Sequence, residues 1–150
     1  MEIRGDLSQE TIEQFLESTT VPLRLSCRRP DGSPWMLSLW YRYREGRLEC
    51  ATAANADVVR FLEGDPEVAF EVSTNRPPYR GVRGNGTATV TPDPEKAVLR
   101  DLLERYLGTT DSPLARQLLD PEREEVTIAI EPAVWYGWDY CERMADSTTK

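Results

Sequence analysis

The chain has 150 residues, a net charge of −8 and no histidine. This length suits a single domain with its own core, so we predict one domain over residues 1–150. The acidic balance argues against non-specific nucleic-acid binding. The lack of histidine excludes catalysis by an imidazole base and metal sites built on histidine.

The cysteines and the lengths of the apolar runs indicate the cellular compartment in which the protein is expected. The three cysteines, Cys27, Cys50 and Cys141, are widely spaced and show no metal-ligand pattern, so we predict free, buried or half-buried thiols and no metal site. No apolar run is long enough to cross a membrane, and the start MEIRGDLSQE is polar. We therefore expect a cytoplasmic protein without a membrane partner.

A helix followed by a β-hairpin is predicted first. Asp6 or Ser8 is placed to cap the helix, which carries an apolar stripe. Residues 21–28 alternate apolar and polar side chains, as a half-buried strand does. A Pro-Asp-Gly-Ser turn then joins this strand to a second one over residues 34–43, which is rich in aromatic and branched side chains.

A third strand, a loop of small residues and a second helix come next. The strand covers residues 48–51, and the loop runs from Thr52 to Asn55. Asn55 is predicted to cap the helix, and Gly64 to end it. Because unpaired N–H groups point outward at a helix N-terminus, this loop is a place where a phosphate can bind.

The rest of the chain adds strands and two edge helices. Strands are predicted from Val68, over the glycine-rich residues 81–91 and over residues 126–130, with helices opening at Asp93-Pro94 and Ser112-Pro113. Residues after about 143 are expected to be frayed. Six to seven short, mostly antiparallel strands with edge helices predict a mainly β, α+β fold that closes into a small barrel.

Several short motifs together resemble one family. They are Gly32-x-Pro34, Leu39-Trp40-Tyr41, Gly46-x-Leu48, Thr52, Val59-Arg60-x-Leu62-x-x-Asp65-Pro66-x-Val68, Pro77-Pro78-Tyr79-Arg80-Gly81-Val82, Gly86-x-Ala88, Arg105-Tyr106 and Gly137-Trp138-Asp139. Their order and spacing are similar to those of the pyridoxamine 5'-phosphate oxidase-like, FMN-binding split-barrel family. The resemblance runs from about Val21 to Asp139.

The resemblance implies a split β-barrel that forms a homodimer, with FMN or a deazaflavin in the groove between the subunits. By this resemblance the backbone of residues 37–39 approaches the ring edge, and Thr52 contacts the ribityl or phosphate groups. The candidate cofactor-binding residues are Leu37, Ser38, Leu39, Thr52, Asn55, Arg60, Arg83 and Trp138. Trp40 has three alternatives, which are stacking on a flavin, lining the dimer seam and packing within the barrel.

The chain departs from the family where the cofactor phosphate is usually held. Related sequences place arginine and lysine there, whereas this chain has Ala56, Asp57 and Val58. A flavin phosphate carries a charge near −2, so Asp57 repels it. Arg60 is retained, Arg83 can approach from another strand, and binding of FMN is predicted to be weak or absent.

Two functions are therefore open. The first is a flavin-dependent oxidoreductase, in which the cofactor supplies the redox chemistry and the substrate is unknown. The alternative is a family member that has lost its cofactor and binds another small molecule. No residue stands out as a general base, and the pair Glu124-Glu125 is predicted to be solvated.

Overall fold

The computed structural model describes residues 2–145, which form eight strands and five helices. The strands are β1 Glu2–Gly5, β2 Leu23–Arg28, β3 Pro34–Leu39, β4 Arg42–Arg44, β5 Arg47–Ala53, β6 Glu67–Ser73, β7 Arg80–Pro92 and β8 Glu125–Asp139. The helices are α1 Gln9–Ser18, α2 Asp57–Gly64, α3 Ala97–Leu107, α4 Pro113–Leu118 and α5 Cys141–Ala145. The predicted frayed tail begins inside α5, and its part beyond residue 145 lies outside the described residues.

The strands form one mainly antiparallel sheet in the order β3-β2-β6-β7-β8-β5-β4, and β1 runs parallel to β8. The prediction of a mainly β, α+β fold is confirmed. The prediction of six to seven strands missed β1, which is only four residues long. In the described part of the chain the sheet is also open, because its two end strands, β3 and β4, do not pair with each other. This arrangement is compatible with a split barrel.

The predicted strand over residues 34–43 is divided into β3 and β4. Between them the Tyr41 side chain turns inward, where its hydroxyl donates a hydrogen bond to the carbonyl of Leu16 at 2.8 Å. The Tyr41 N–H donates to the hydroxyl of Tyr106 at 3.3 Å instead of to a neighbouring strand. Leaving the sheet for these partners breaks the ladder, which the local β-propensity of the segment did not reveal.

The main core lies inside the curved sheet. Inward residues of β2 and β6 alternate with outward ones, as the period of a strand requires, whereas β5 and the first part of β8 bury consecutive residues. Trp135 is only 1% exposed at the centre and meets Phe70 and Tyr43 edge to face, with ring centroids 5.2 and 6.2 Å away. Burying so large a ring removes much apolar area from water, so it helps to hold the two sides of the sheet together.

Helix α1 begins as predicted, and α2 does not. The Ser8 hydroxyl accepts a hydrogen bond from the Thr11 N–H, which caps α1. The prediction that Asn55 caps α2 is wrong, because Ala56 occupies the N-cap position without a side-chain hydrogen bond. Gly64 is the last helical residue of α2 rather than its cap, so the chain leaves the helix through an extended Asp65.

Helices α3 and α4 cover only part of the outside of the sheet. Buried Leu99 and Leu103 of α3 and Ala115 of α4 pack together, with half-buried Trp40 and Ala51 against them. Across β2, β3, β6 and β7 the outer face carries a groove lined entirely by strand residues. No helix within residues 2–145 is long and apolar enough to span a membrane.

Candidate functional site

Three of the candidate residues meet in one cavity, here called the lateral pocket. Ser38 and Leu39 at the end of β3 and Thr52 near the end of β5 line a volume of about 360 Å³. The side chains of α3 and α4 close the pocket with an apolar wall that includes Leu99, Leu102, Leu114 and Leu118. Because β3 and β5 lie far apart in the sheet order, this convergence comes from the curvature of the sheet and not from strand pairing.

A partly buried ion pair forms the polar end of the lateral pocket. Arg123 Nε lies 2.5 Å from Glu125 Oε1, and the Glu125 side chain is only 1% exposed. The second oxygen, Oε2, is buried and has no hydrogen-bond donor among the described residues. The prediction that Glu124-Glu125 is a solvated pair is therefore wrong for Glu125. A buried acceptor without a donor is costly, so a bound N–H or O–H group is favoured there.

Glu125 was missed by sequence reasoning, although a signal was present. Glu125 is the first residue of β8, and Arg123 lies in the turn two residues before it. The pair directly precedes the buried run that begins at Val126. An arginine just before a core strand and a glutamate at its first position are close enough along the chain to pair, which is a signal for a partly buried salt bridge.

Trp40 packs within its own chain. Its ring stacks on Tyr106 with centroids 5.1 Å apart and planes 8° apart. The Tyr106 hydroxyl donates to the Val21 carbonyl at 3.0 Å, and burial raises the pKa of this phenol. One face of the Trp40 ring is therefore covered by Tyr106, and Trp40 also lines the lateral pocket.

A second cavity, the outer groove, crosses the open face of the sheet with a volume of about 400 Å³. Its charged residues are Arg4, Arg24, Glu71 and Arg83. Arg24 on β2 is the ladder partner of Glu71 on β6, and Glu71 is the partner of Arg83 on β7. The groove therefore carries a row of charges, most of them positive, in a chain whose net charge is −8.

The Arg83 guanidinium is held by two aromatic rings. Its central carbon lies 4.6 Å from the centroid of Tyr136 and 5.3 Å from that of Trp138, both on β8. Cation–π contacts of this kind restrict the guanidinium while leaving its N–H groups available. Two candidate cofactor residues, Arg83 and Trp138, are thus in direct contact.

The other candidates lie apart from these two cavities. Leu37 is half-buried with its side chain against the core, so only its backbone is available to a ligand. Asn55 is exposed ahead of α2. Arg60 has a 68% exposed side chain, lies 3.3 Å from the carboxylate of Asp57 and lines a separate cavity. The structure therefore brings three of the eight candidate residues into the lateral pocket, places Arg83 and Trp138 together at the outer groove, and leaves the other three apart from both cavities.

Comparison with known proteins places the chain by its fold. No family model and no curated protein sequence matches it. Among solved structures it is similar to the conserved hypothetical protein Rv2991 from Mycobacterium tuberculosis, with 28% identity over 93% of this chain and 91% of that one and a TM-score of 0.76. It is also similar to an F420 reductase, with 26% identity over 85% of this chain and 98% of that one and a TM-score of 0.70.

A third similar structure is a FAD-binding protein from Mesorhizobium loti, with 20% identity over 86% of this chain and 92% of that one and a TM-score of 0.63. Together with further neighbours these structures are consistent with the pyridoxamine 5'-phosphate oxidase-like family. The resemblance predicted from the sequence is confirmed at the level of the fold, and the chain has the fold of that class of proteins.

Proposed function

We propose that this chain binds a flavin-type cofactor, FMN or a deazaflavin, and acts with it as an oxidoreductase. The observation that carries the proposal is the convergence of Ser38, Leu39 and Thr52 in the lateral pocket. The family resemblance alone implies these residues, and they come from two strands, β3 and β5, that are not neighbours in the sheet. The likeness to an F420 reductase and to a FAD-binding protein supports a flavin-type cofactor in general.

The residues present fit the parts of such a cofactor. The leucine wall and Trp40 give the lateral pocket an apolar lining for a ring, and Glu125 offers an acceptor for an N–H group. Met36 and Ser38 lie on the same face of β3, about 7 Å apart at strand spacing, and line the outer groove and the lateral pocket respectively. One elongated ligand can thus reach both cavities. The cofactor itself would supply the redox chemistry.

We further propose that the open sheet face binds a second copy of this chain. Met36 on this face is 64% exposed, and the half-buried Tyr136 and Trp138 lie on β8 at the same face or its edge. Exposed apolar side chains beside aromatic ones are typical of interface cores. Light scattering at micromolar concentration should give twice the monomer mass of 17.1 kDa. A monomer mass at that concentration would contradict the homodimer.

The cofactor-deficient alternative rests on Ala56, Asp57 and Val58. Arg60, the positively charged side chain near the start of α2, pairs with Asp57. Its charge is therefore not free to bind a phosphate. The structural neighbours do not favour this alternative over cofactor binding. It predicts that a small molecule other than a flavin occupies the lateral pocket.

Titration with FMN, FAD and a deazaflavin tests the proposal. Quenching of cofactor fluorescence should saturate for at least one of them, and Thr52→Val should weaken this binding about fivefold to tenfold by removing one hydrogen bond. Thr89→Val, on the exposed face of β7 and outside both cavities, is the matched control and should leave affinity unchanged. A folded protein that binds none of the three at tens of micromolar would refute the proposal.

A further inference from the structure

We infer that the outer groove is an anion site in which Arg24 and Arg83 hold a phosphate group. This site replaces the basic residues that are missing at positions 56–58. The inference rests on the proposed function for the identity of the ligand, which would be the phosphate end of the cofactor. The affinity of the groove for phosphate can be tested without any cofactor.

The spacing of the two arginines suits one phosphate. Both are ladder partners of Glu71 on the intervening strand β6, so they lie two strands apart on the same row. At the usual strand separation their backbones are about 10 Å apart. Both arginines line the outer groove, with Arg83 held on its β8 side, so a phosphate in the groove is approached from two directions by planar guanidinium groups that offer paired N–H donors.

No carboxylate of the described residues neutralises Arg24 or Arg83. Within residues 2–145 neither forms an ion pair, although Glu71 is the direct neighbour of both. The Glu71 carboxylate instead accepts a hydrogen bond from the Ser73 hydroxyl at 2.9 Å. Opposite charges on neighbouring strands usually form ion pairs. Here Arg24 and Arg83 form none with Glu71, and two positive charges beside one negative charge give this part of the groove a net positive charge.

The Arg83 guanidinium is ordered before any ligand binds. Its contacts with Tyr136 and Trp138 fix the guanidinium before anything binds. A side chain that is already ordered loses less conformational entropy on binding than a free surface arginine. Arg4, the third arginine of the groove, differs because it is paired with Glu2 at 2.7 Å.

The competing phosphate site at the start of α2 is poorer. Arg60, the arginine that the resemblance places there, is 68% exposed and lies beside the Asp57 carboxylate. A phosphate at that position would have to displace or adjoin a negative charge. In the outer groove two unpaired arginines face a single carboxylate, which is already engaged by Ser73.

The test compares FMN with riboflavin, which lacks the phosphate, by titration at low salt. We expect FMN to bind at least tenfold more tightly than riboflavin, with the difference shrinking as salt is added. Arg24→Gln and Arg83→Gln should each lower FMN affinity about tenfold to a hundredfold and leave riboflavin affinity unchanged. Arg47→Gln, at an exposed strand arginine outside both cavities, is the matched control and should change neither affinity.

Three results would overturn the inference. They are equal affinities for FMN and riboflavin, an equal loss in the Arg47 variant, and loss of the FMN preference in Arg60→Gln but not in the groove variants. If neither flavin binds, the proposed function fails and ³¹P line broadening of pyrophosphate decides on the groove alone. Broadening that is lost in the Arg24→Gln, Arg83→Gln double variant supports an anion site, and no broadening with the original protein contradicts it.

Discussion

Arg105 of α3 joins that helix to the C-terminal end of α1, and its removal should weaken the whole fold. Its guanidinium donates to the carbonyls of Glu17 at 2.9 Å and Leu16 at 2.8 Å, and also to that of Thr19. The last carbonyls of a helix have no partner within the helix, and a positive charge there also opposes the negative end of the helix dipole. The guanidinium in addition covers the ring of Tyr41.

The size of this effect follows from the contacts. Hydrogen bonds from a charged donor contribute about 1.5–3 kcal/mol each, so three give a gross value of about 4–9 kcal/mol. The buried Nε of Arg105 has no acceptor among the described residues, and this reduces the net stabilisation by Arg105 by about 1–3 kcal/mol. Solvent replaces part of the rest, because the side chain is only half-buried. We therefore expect Arg105→Met to lower the free energy of unfolding by about 2–4 kcal/mol, or the melting temperature by on the order of 10 °C.

Urea unfolding followed by circular dichroism measures this change. Arg105→Lys should lie between the original protein and Arg105→Met, because an ammonium group cannot reach all three carbonyls in the fork geometry of arginine. Arg100→Met on the same helix is the matched control, since Arg100 is exposed and should cost little. A loss below about 1 kcal/mol for Arg105→Met, or an equal loss for Arg100→Met, would refute the reasoning.

Three further predictions concern stability and reactivity. Gly84→Ala should destabilise strongly, because a Cβ there would lie 2.0 Å from a backbone oxygen of β8, whereas Gly64→Ala meets nothing within 4 Å and should melt near the original temperature. Tyr43 has its pKa raised to about 12, chiefly by burial, so stability present below pH about 10 should fall as the pH rises towards 12, and Tyr43→Phe should flatten that part of a stability–pH curve. In native protein a thiol reagent should modify the exposed Cys141 and not Cys50, whose pKa burial raises to about 12, and rapid modification of Cys50 would contradict the buried position.

Much of the local structure follows from short-range patterns. The apolar stripe and the Ser8 cap specify α1, and the alternation over residues 23–28 specifies a half-buried strand, because both depend on periods that neighbouring residues set. The glycine-rich residues of β7 mark a strand that lies close to others, and Gly84 and Gly86 indeed face backbone oxygens of β8. The predicted chain order of strands and edge helices is confirmed for the same reason.

The errors fall where a distant partner outweighs the local preference. Residues 34–43 read as one strand, yet Tyr41 leaves the sheet to bond with Leu16 and Tyr106, which are far away in the sequence. Asn55 is a good cap by composition, but the chain begins α2 one residue later. Glu125 reads as a solvated acid, although its side chain is 1% exposed in the folded chain and pairs with Arg123.

The fold class and the candidate residues can be predicted from the sequence, because both rest on local periodicity and on short motifs in a fixed order. Which of those residues meet is set by the three-dimensional packing. It brings Ser38 to Thr52 in the lateral pocket, places Arg83 over the rings of Tyr136 and Trp138, and leaves Arg60 at a separate cavity. The physical reason is that the curvature of the sheet and the packing of α3 and α4 depend on all of the side chains together, whereas each motif records only its own neighbours.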